Sequence, residues 1–336
     1  MPTLEDVATR AGVSTATVSK VLSNTPYFTE ATRQKVMRAV EELGYVPNLA
    51  ARALAAGKTG IIGVVFPYVY DAIFADPHVL HILEGIEAEC TRRGYNILLS
   101  TPHVTPDGVD EHYLRLIQSS YIDGIIALDN VPFASVLGPV HTKGIPVVSL
   151  GYHLTDCWLR SDDFSGGFQL MRHLLDLGHR AIGIIGVPQD LNFSANYRME
   201  GLRAAAEAAG LDFAAMPVAE GDFSVASGAA CAAHLLTQSP DLTALICLND
   251  RMAIGAIQQA RRFGRRVPDD VSIVGYDDIP LASVFDPPLT TIASNAPAIG
   301  CEATRMLFDL LGGKSPEAAV FPVELIVRDS SARVCG

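Results

Sequence analysis

The side chains best suited to chemistry stand at the ends of apolar runs. Asn249 and Asp250 follow ALICL, and Asp277 and Asp278 follow VSIVGY. Runs of this kind read as buried strands, and open α/β sheets bind ligands at the C-terminal ends of their strands. A carboxylate there accepts hydrogen bonds from hydroxyls, while an amide both donates and accepts, which is what a polyol requires. Capping competes with ligation for each of these residues, and Asp250 and Asp278 suit a cap or turn better. Arg198 adds a forked donor and Phe223 an apolar plate, although an arginine on a helix is ordinarily solvated.

A second set lies near the N-terminus, in STATVSKVL. Val18, Val21 and Leu22 fit an inward helix face, which leaves Thr15, Ala16, Thr17, Ser19 and Lys20 outward. Hydroxyls, a methyl and an ammonium match the donor, acceptor and thymine-methyl pattern of the DNA major groove, with Thr15, Ala16 and Lys20 best placed to reach base edges. The competing reading is a solvent-facing helix of an unrelated hairpin. A third set lies in GYVPNLAARALAAGKTG, where Leu54 is large and apolar among alanines and close to Arg52. Such a side chain can wedge into a base step from the minor groove and kink the duplex. Packing of Leu54 on a neighbouring domain is the alternative. Asn48 can cap the short helix LAARALAA, which is too brief to be stable without a partner.

The elements that must position these residues change character along the chain. Helical spacing covers about 4 to 11, 15 to 22 and 30 to 43, with Thr3, Ser14 and Thr29 as N-caps and Gly12 and Gly44 just past helix ends. A short turn with glycine between the first two is the helix-turn-helix arrangement. From Gly60 onward β-rich runs alternate with helices: IIGVVFP, HVLHILEGIEAECTRRG, NILLST, DEHYLRLIQSS, DGIIAL and IPVVSL. A second cycle follows with GFQLMRHLLDLG, AIGIIG, YRMEGLRAAAEAAG, ALICLN, RMAIGAIQQARRFG and VSIVGYDD. This predicts two α/β lobes with parallel sheets. The tail supplies a helix at about 297 to 312 and apolar runs near 320 to 327, too little for a third lobe, so the chain is expected to cross back between the two. A cleft between lobes is a favoured ligand site.

Composition narrows the options. The 336 residues carry a net charge of −12, but residues 1 to 58 hold seven Lys/Arg against five Asp/Glu, leaving 18 basic against 32 acidic residues in the rest. The N-terminal part is therefore compatible with phosphate, and an acidic body opposes non-specific adhesion to nucleic acid. No run approaches the roughly 20 apolar residues of a membrane span, and MPTLEDVATR lacks the features of a secretory signal, so a cytoplasmic location is expected. The six cysteines are scattered without CxxC or Cys/His clustering, which predicts neither a disulfide framework nor a metal. GxSxG, HExxH and GxxxxGK[ST] are all missing, so no enzyme and no cofactor is expected.

Over essentially its whole length the sequence resembles the LacI/GalR family of bacterial repressors. The resemblance rests, in order, on TLEDVATRAGVSTATVSKVLSN, YVPNLAARAL, SDDFSGGFQLMRHLLDLGHRAIGIIG, LNDRMAIGAI and VPDDVSIVGYDDIPLASVFDPPLTTI. It implies a helix-turn-helix headpiece at 1–46, a hinge at 47–58 and a two-lobed periplasmic-binding-protein-like core at 61–336. The implied lobes are about 61–161 with 291–321, and about 162–290 with 322–336. By this resemblance Thr15, Ala16, Thr17 and Lys20 contact DNA from the headpiece, Asn48, Arg52 and Leu54 from the hinge, and Arg198, Phe223, Asn249 and Asp277 contact effector. The segment PYVYDAIFADPHVL is longer than its family counterpart, and Tyr68 and Phe74 stand in it as the aromatic candidates. After IPVVSL, Gly151 and Tyr152 replace the charged residue often found there.

The expectation is a repressor that binds a near-palindromic double-stranded DNA operator as a homodimer under control of a small effector, a sugar first and a nucleobase second. A different class, a sugar-binding sensor whose headpiece docks on protein, is distinguished by salt dependence, since phosphate contacts weaken steeply with salt.

Overall fold

The computed structural model describes residues 2–22, 28–46, 57–66, 74, 76–105, 108–119, 121–128, 136–151, 155–188 and 193–334. The chain divides into two compact units, Met1–Gly60 and Ile61–Gly336.

The first unit contains helices α1 (Leu4–Ala11), α2 (Thr15–Leu22) and α3 (Glu30–Leu43). Local chemistry delimits each. Thr3 accepts from the Asp6 amide while Asp6 bonds back to the Thr3 amide, a reciprocal capping box. Ser14 Oγ accepts the Thr17 amide at 3.1 Å, and Thr29 Oγ1 accepts the Thr32 amide at 3.3 Å. Gly12 and Gly44 end α1 and α3 in left-handed backbone, at φ 66° and 59°. Val7, Ala8, Val18, Val21, Val36 and Ala39 form the core, with Leu4, Leu22, Phe28 and Tyr45 against it. That core is small, and the caps add to the stability it gives the helices.

The second unit builds two parallel sheets. Its elements in order are β1 (Ile61–Val65), α4 (Pro77–Arg92), β2 (Asn96–Ser100), β3 (Val104–Thr105), β4 (Gly108–Val109), α5 (Glu111–Gln118), β5 (Gly124–Ala127), α6 (Gly138–Thr142), β6 (Val147–Leu150), β7 (Trp158–Ser161) and α7 (Asp163–Asp176). There follow β8 (Ile182–Gly186), α8 (Phe193–Ala208), β9 (Val218–Glu220), α9 (Val225–Gln238), β10 (Ala244–Cys247), α10 (Asp250–Arg262), β11 (Ser272–Val274), α11 (Pro280–Val284), β12 (Thr291–Ala293), α12 (Ala296–Leu311), β13 (Ala319–Phe321) and β14 (Glu324–Ile326).

The first sheet has the order β13-β7-β6-β5-β1-β2 and the second β11-β10-β8-β9. Both reverse direction of succession beside their first strand, β1 in one and β8 in the other, which creates the crevice that α/β folds use for ligands. The tail does cross back. α12 packs on α4 and the first sheet, β13 extends that sheet beside β7, and β14 pairs antiparallel with the crossover strand β12. Residues 330–334 then return to the second sheet: Ile273 donates its amide to the Ser330 carbonyl at 2.8 Å, and His179 Nε2 meets the Ala332 carbonyl at 2.9 Å.

Three helix pairs approach so closely that only glycine fits on both sides. A Cβ on Gly85 or Gly300 would lie 1.9 or 2.1 Å from a carbonyl oxygen of the opposite helix in the α4–α12 pair. In α7–α8 the corresponding figures are 2.0 Å for both Gly167 and Gly201, and in α9–α10 they are 2.2 Å for Gly228 and 2.0 Å for Gly255. The α7–α8 pair also brings together Asp163, on α7, and Arg198, on α8.

Candidate functional site

In the headpiece unit, Thr15, Ala16, Ser19 and Lys20 lie exposed along α2, while Val18 and Val21 are buried beneath them. Thr17 is half-buried, and its hydroxyl shares a 2.9 Å hydrogen bond with Ser14 at the helix start, so it shapes the N-terminus as well as the surface. The expected hinge contacts Asn48, Arg52 and Leu54 lie outside the described residues, as do Tyr68 and Tyr152.

In the second unit three strand ends and one helix converge. Phe223 follows β9, Asn249 follows β10 and Asp277 follows β11, while Arg198 comes from α8, the helix after β8. Arg198 is not solvated but buried, with 8% of its surface exposed. Its Nε donates to Asp163 Oδ1 at 2.9 Å, its Nη1 donates to the Leu248 carbonyl at 2.6 Å, and its guanidinium lies 3.6 Å from the Tyr276 ring centroid. Burial opposes its charge, but Asp163 first and Asp277 next outweigh that and hold its pKa above the ordinary arginine range. Gly166 lets the Tyr276 ring lie flat under this group, since a Cβ there would meet the Tyr276 hydroxyl at 2.3 Å.

Asp277 is the focus of the site. It is held in left-handed backbone at φ 109°, and among the described residues its buried Oδ1 receives no hydrogen bond. Two cationic or potentially cationic groups stand just beyond bonding range, Arg198 Nη2 and His78 Nδ1, each at 3.6 Å. Burial pushes the Asp277 carboxyl up, with His78 and Arg198 pulling the other way. Asn249 spends its side chain on structure: Oδ1 caps α10 by accepting the Met252 amide at 2.9 Å, and Nδ2 donates to the Phe223 carbonyl at 3.1 Å. That second bond braces Phe223, whose backbone is also left-handed at φ 65°. The amide retains one N–H and one lone pair for further use.

The first sheet contributes from the opposite side. His78, in the first turn of α4, faces Asp277 and also lies 3.4 Å from Ser294 Oγ. Asp76, the N-cap of α4, pairs with Arg251 of α10 at 3.5 Å. Phe74 is half-exposed and meets the buried Phe66, at the end of β1, edge to face at 6.2 Å between centroids. Sequence reasoning missed His78, Asp163, Tyr276 and the Asp76–Arg251 pair. The available signals were faint: an Asp-Pro-His step at a helix start, and a second aspartate directly after the cap Asp162.

Asp250, by contrast, is tied into the fold. Fully buried, it accepts the Ile279 amide at 2.9 Å and the Thr291 hydroxyl at 2.5 Å. Burial first, then the neighbouring Asp277 charge, drive its carboxyl pKa up, and those two donors pull it back.

The described residues contain no His/Cys/Asp/Glu group able to hold a metal ion, and no helix among them is long and apolar enough to cross a membrane.

Comparison with known proteins agrees with this geometry at both ends of the chain. Residues 3–48 match the family of bacterial regulatory proteins named lacI, and residues 171–331 match the periplasmic binding protein-like domain. The transcriptional regulator CelR of Thermobifida fusca is 34% identical over 340 residues, spanning 98% of each chain. The repressor PurR of Haemophilus influenzae is 34% identical over 339 residues, again 98% of each. Among solved structures, the CelR–cellobiose complex superposes with a TM-score of 0.72 at 33% identity, covering 98% of this chain and 100% of that one. The lac repressor dimer bound to operator and an anti-inducer superposes with a TM-score of 0.87 at 28% identity, covering 98% and 99%. A helix-turn-helix unit followed by a two-lobed α/β unit, aligned end to end with such relatives, places the chain in the LacI family of DNA-binding transcriptional regulators.

Proposed function

We propose that this regulator is a repressor whose operator affinity is set by a sugar bound between the strand ends of its second unit. The observation that carries the reading is Asp277 Oδ1, a buried acceptor without a hydrogen bond, flanked at 3.6 Å by Arg198 and His78. Leaving such an atom unsatisfied costs about 1–3 kcal/mol, and a ligand hydroxyl donating to it recovers that cost. Phe223 offers an apolar face to a sugar ring, Asn249 holds that phenylalanine and keeps hydrogen-bonding capacity, and the aromatic residues Phe74 and Tyr68 are further candidates for contact with the ring. The cellobiose complex of CelR supports a disaccharide as the first probe.

On the DNA side, Thr15, Ala16, Thr17 and Lys20 read the major groove, and Asn48, Arg52 and Leu54 act from the hinge, with Leu54 as the minor-groove wedge. The solved operator-bound lac repressor dimer supports a homodimer on a near-palindromic site. The domain limits that go with this reading are 1–46, 47–58 and 61–336.

One experiment tests both halves. Purified protein selects sites from a pool of random duplexes, and the enriched operator is titrated against cellobiose, other sugars and nucleobases. Wild type is expected to enrich a site of two half-sites and to change affinity with a sugar, whereas Asp277→Ala binds the operator normally and ignores the sugar. A response that survives in Asp277→Ala removes that residue from the site. A response to nucleobases alone replaces the sugar with a planar ligand stacked on Phe223.

A further inference from the structure

Asp277 owes its place to groups that never face the ligand. Residues 275–279 form a loop whose backbone is laid along the crossover strand β12: the Gly275 amide donates to the Thr290 carbonyl at 2.9 Å, and the Asp277 amide donates to the Ile292 carbonyl at 2.8 Å. Two consecutive residues of this loop, Asp277 and Asp278, are left-handed, at φ 109° and 55°. Backbone of that kind is strained for a residue other than glycine and persists only where the surroundings impose it. The loop therefore needs an agent that imposes it.

Asp250 is placed to be that agent. Its amide donates to the Tyr276 carbonyl at 2.8 Å, on the near side of Asp277, and its Oδ2 accepts the Ile279 amide at 2.9 Å, on the far side. The two bonds bracket the left-handed pair from one residue. Its Oδ1 accepts the Thr291 hydroxyl at 2.5 Å, which fastens the same carboxyl to β12. Gly275 makes the passage possible, since a Cβ there would lie 2.2 Å from Asp250 Oδ1. Both Asp250 and Thr291 are fully buried, so neither competes for ligand. β12 continues directly into Ser294, whose hydroxyl lies 3.4 Å from His78 on the other lobe.

We propose that Asp250, acting through Thr291, is a positioning residue for the effector site, fixing Asp277 in register with the crossover strand. The inference rests on the reading of Asp277 as an effector ligand. It makes the ligand-facing carboxylate and the strand that joins the lobes parts of one hydrogen-bonded unit.

Asp250→Ala deletes a buried carboxyl and puts folding itself at risk, so the decisive variants are Thr291→Val, which keeps the shape without the hydroxyl, and Thr291→Ser, which keeps the hydroxyl. Hydrogen exchange of the full chain without ligand is followed by mass spectrometry, alongside a cellobiose titration. Thr291→Val is expected to speed exchange in peptides covering 275–281 about tenfold and to weaken cellobiose binding by a similar factor, with Thr291→Ser close to wild type. Peptides from β8 and β10 should keep wild-type rates. Equal exchange of wild type and Thr291→Val at 275–281 overturns the proposal, as does acceleration throughout the second sheet or failure of serine to rescue. A wild-type chain that takes up no cellobiose counts against the disaccharide reading alone, and the exchange result then decides the positioning role.

Discussion

The headpiece and the second lobe hold their candidate site residues in opposite ways. In the headpiece the side-chain bonds that cap the helix starts each span three residues, from Thr3 to Asp6, Ser14 to Thr17 and Thr29 to Thr32. In the lobe the bonds that matter are distant in sequence: Arg198 reaches Asp163 across 35 residues and the Leu248 carbonyl across 50, and Thr291 reaches Asp250 across 41. A surface that must fit a regular groove can be set by spacing along one helix. A pocket that must leave one carboxylate oxygen unsatisfied has to be assembled from several strand ends at once.

Removing a long-range anchor should therefore cost far more than removing a local one. Arg198→Met deprives buried Asp163 and the Leu248 carbonyl of their shared donor, and loss of one partner of a buried pair costs about 3–5 kcal/mol. The measurement is urea unfolding followed by the fluorescence of Trp158, the single tryptophan, which reports the large unit alone. A loss below about 1 kcal/mol, the range of exposed pairs, would break the contrast.

Acid should separate the two units next. His173 and His179 are held neutral, by burial first, with the charge of one opposing the other at His173, and both clamp residues 331–332 to the second lobe. Their folded-state pKa values lie below the unfolded ones, so the unfolded chain binds more protons in between. The contribution of these two histidines to the stability of the large unit should begin to fall as pH drops below about 6.5 and level off once the folded histidines protonate as well. The first 60 residues contain no histidine. Their acid-sensitive group is Asp6, whose pKa the Thr3 amide and hydroxyl lower, so its contribution is present above about 3.9 and lost below. Thermal melts across pH 3–7, read by Trp158 fluorescence and by exchange in 30–43, should show the body weakening first; parallel decline of both would contradict this.

The smallest effect belongs to a cap. Thr29→Ala should cost the headpiece about 1 kcal/mol, seen as several-fold faster exchange across α3 with Trp158 unfolding unchanged. Unaltered exchange would mean that tertiary packing, not capping, fixes that helix.

The same division decided how much was legible beforehand. The three headpiece helices begin and end where Thr3, Ser14, Thr29, Gly12 and Gly44 predict, because caps act within a turn. Strand β7 was not foreseen, since WLRS shows no β alternation and becomes a strand only by pairing with β6 and β13. Helix α9 escaped notice although Gly228, Cys231, Ala232, Leu235 and Leu236 recur at helical spacing on its buried face, because three of those five residues are small. At the site, Arg198 and Asp277 were visible as residue types, but burial of the arginine depends on Asp163 and Tyr276, which no local pattern couples to it. Asn249 was left between capping and ligation, and the structure shows the capping bond made.

The paired glycines give the second unit a mechanical character. A helix sliding by one residue along its partner would bring a Cβ to a point where 1.9–2.2 Å is all that is left before a carbonyl oxygen. Shear between α4 and α12, α7 and α8, or α9 and α10 is thus blocked like a key in a slot, which stiffens each lobe from within. Compliance is left to the thin strips of chain that pass between lobes, around 161–163, at β12 and at β14. If Asp277 holds the ligand as proposed, a displacement imposed there would leave the pocket as rotation about those strips, growing with distance from them as the travel of a lever grows along its arm.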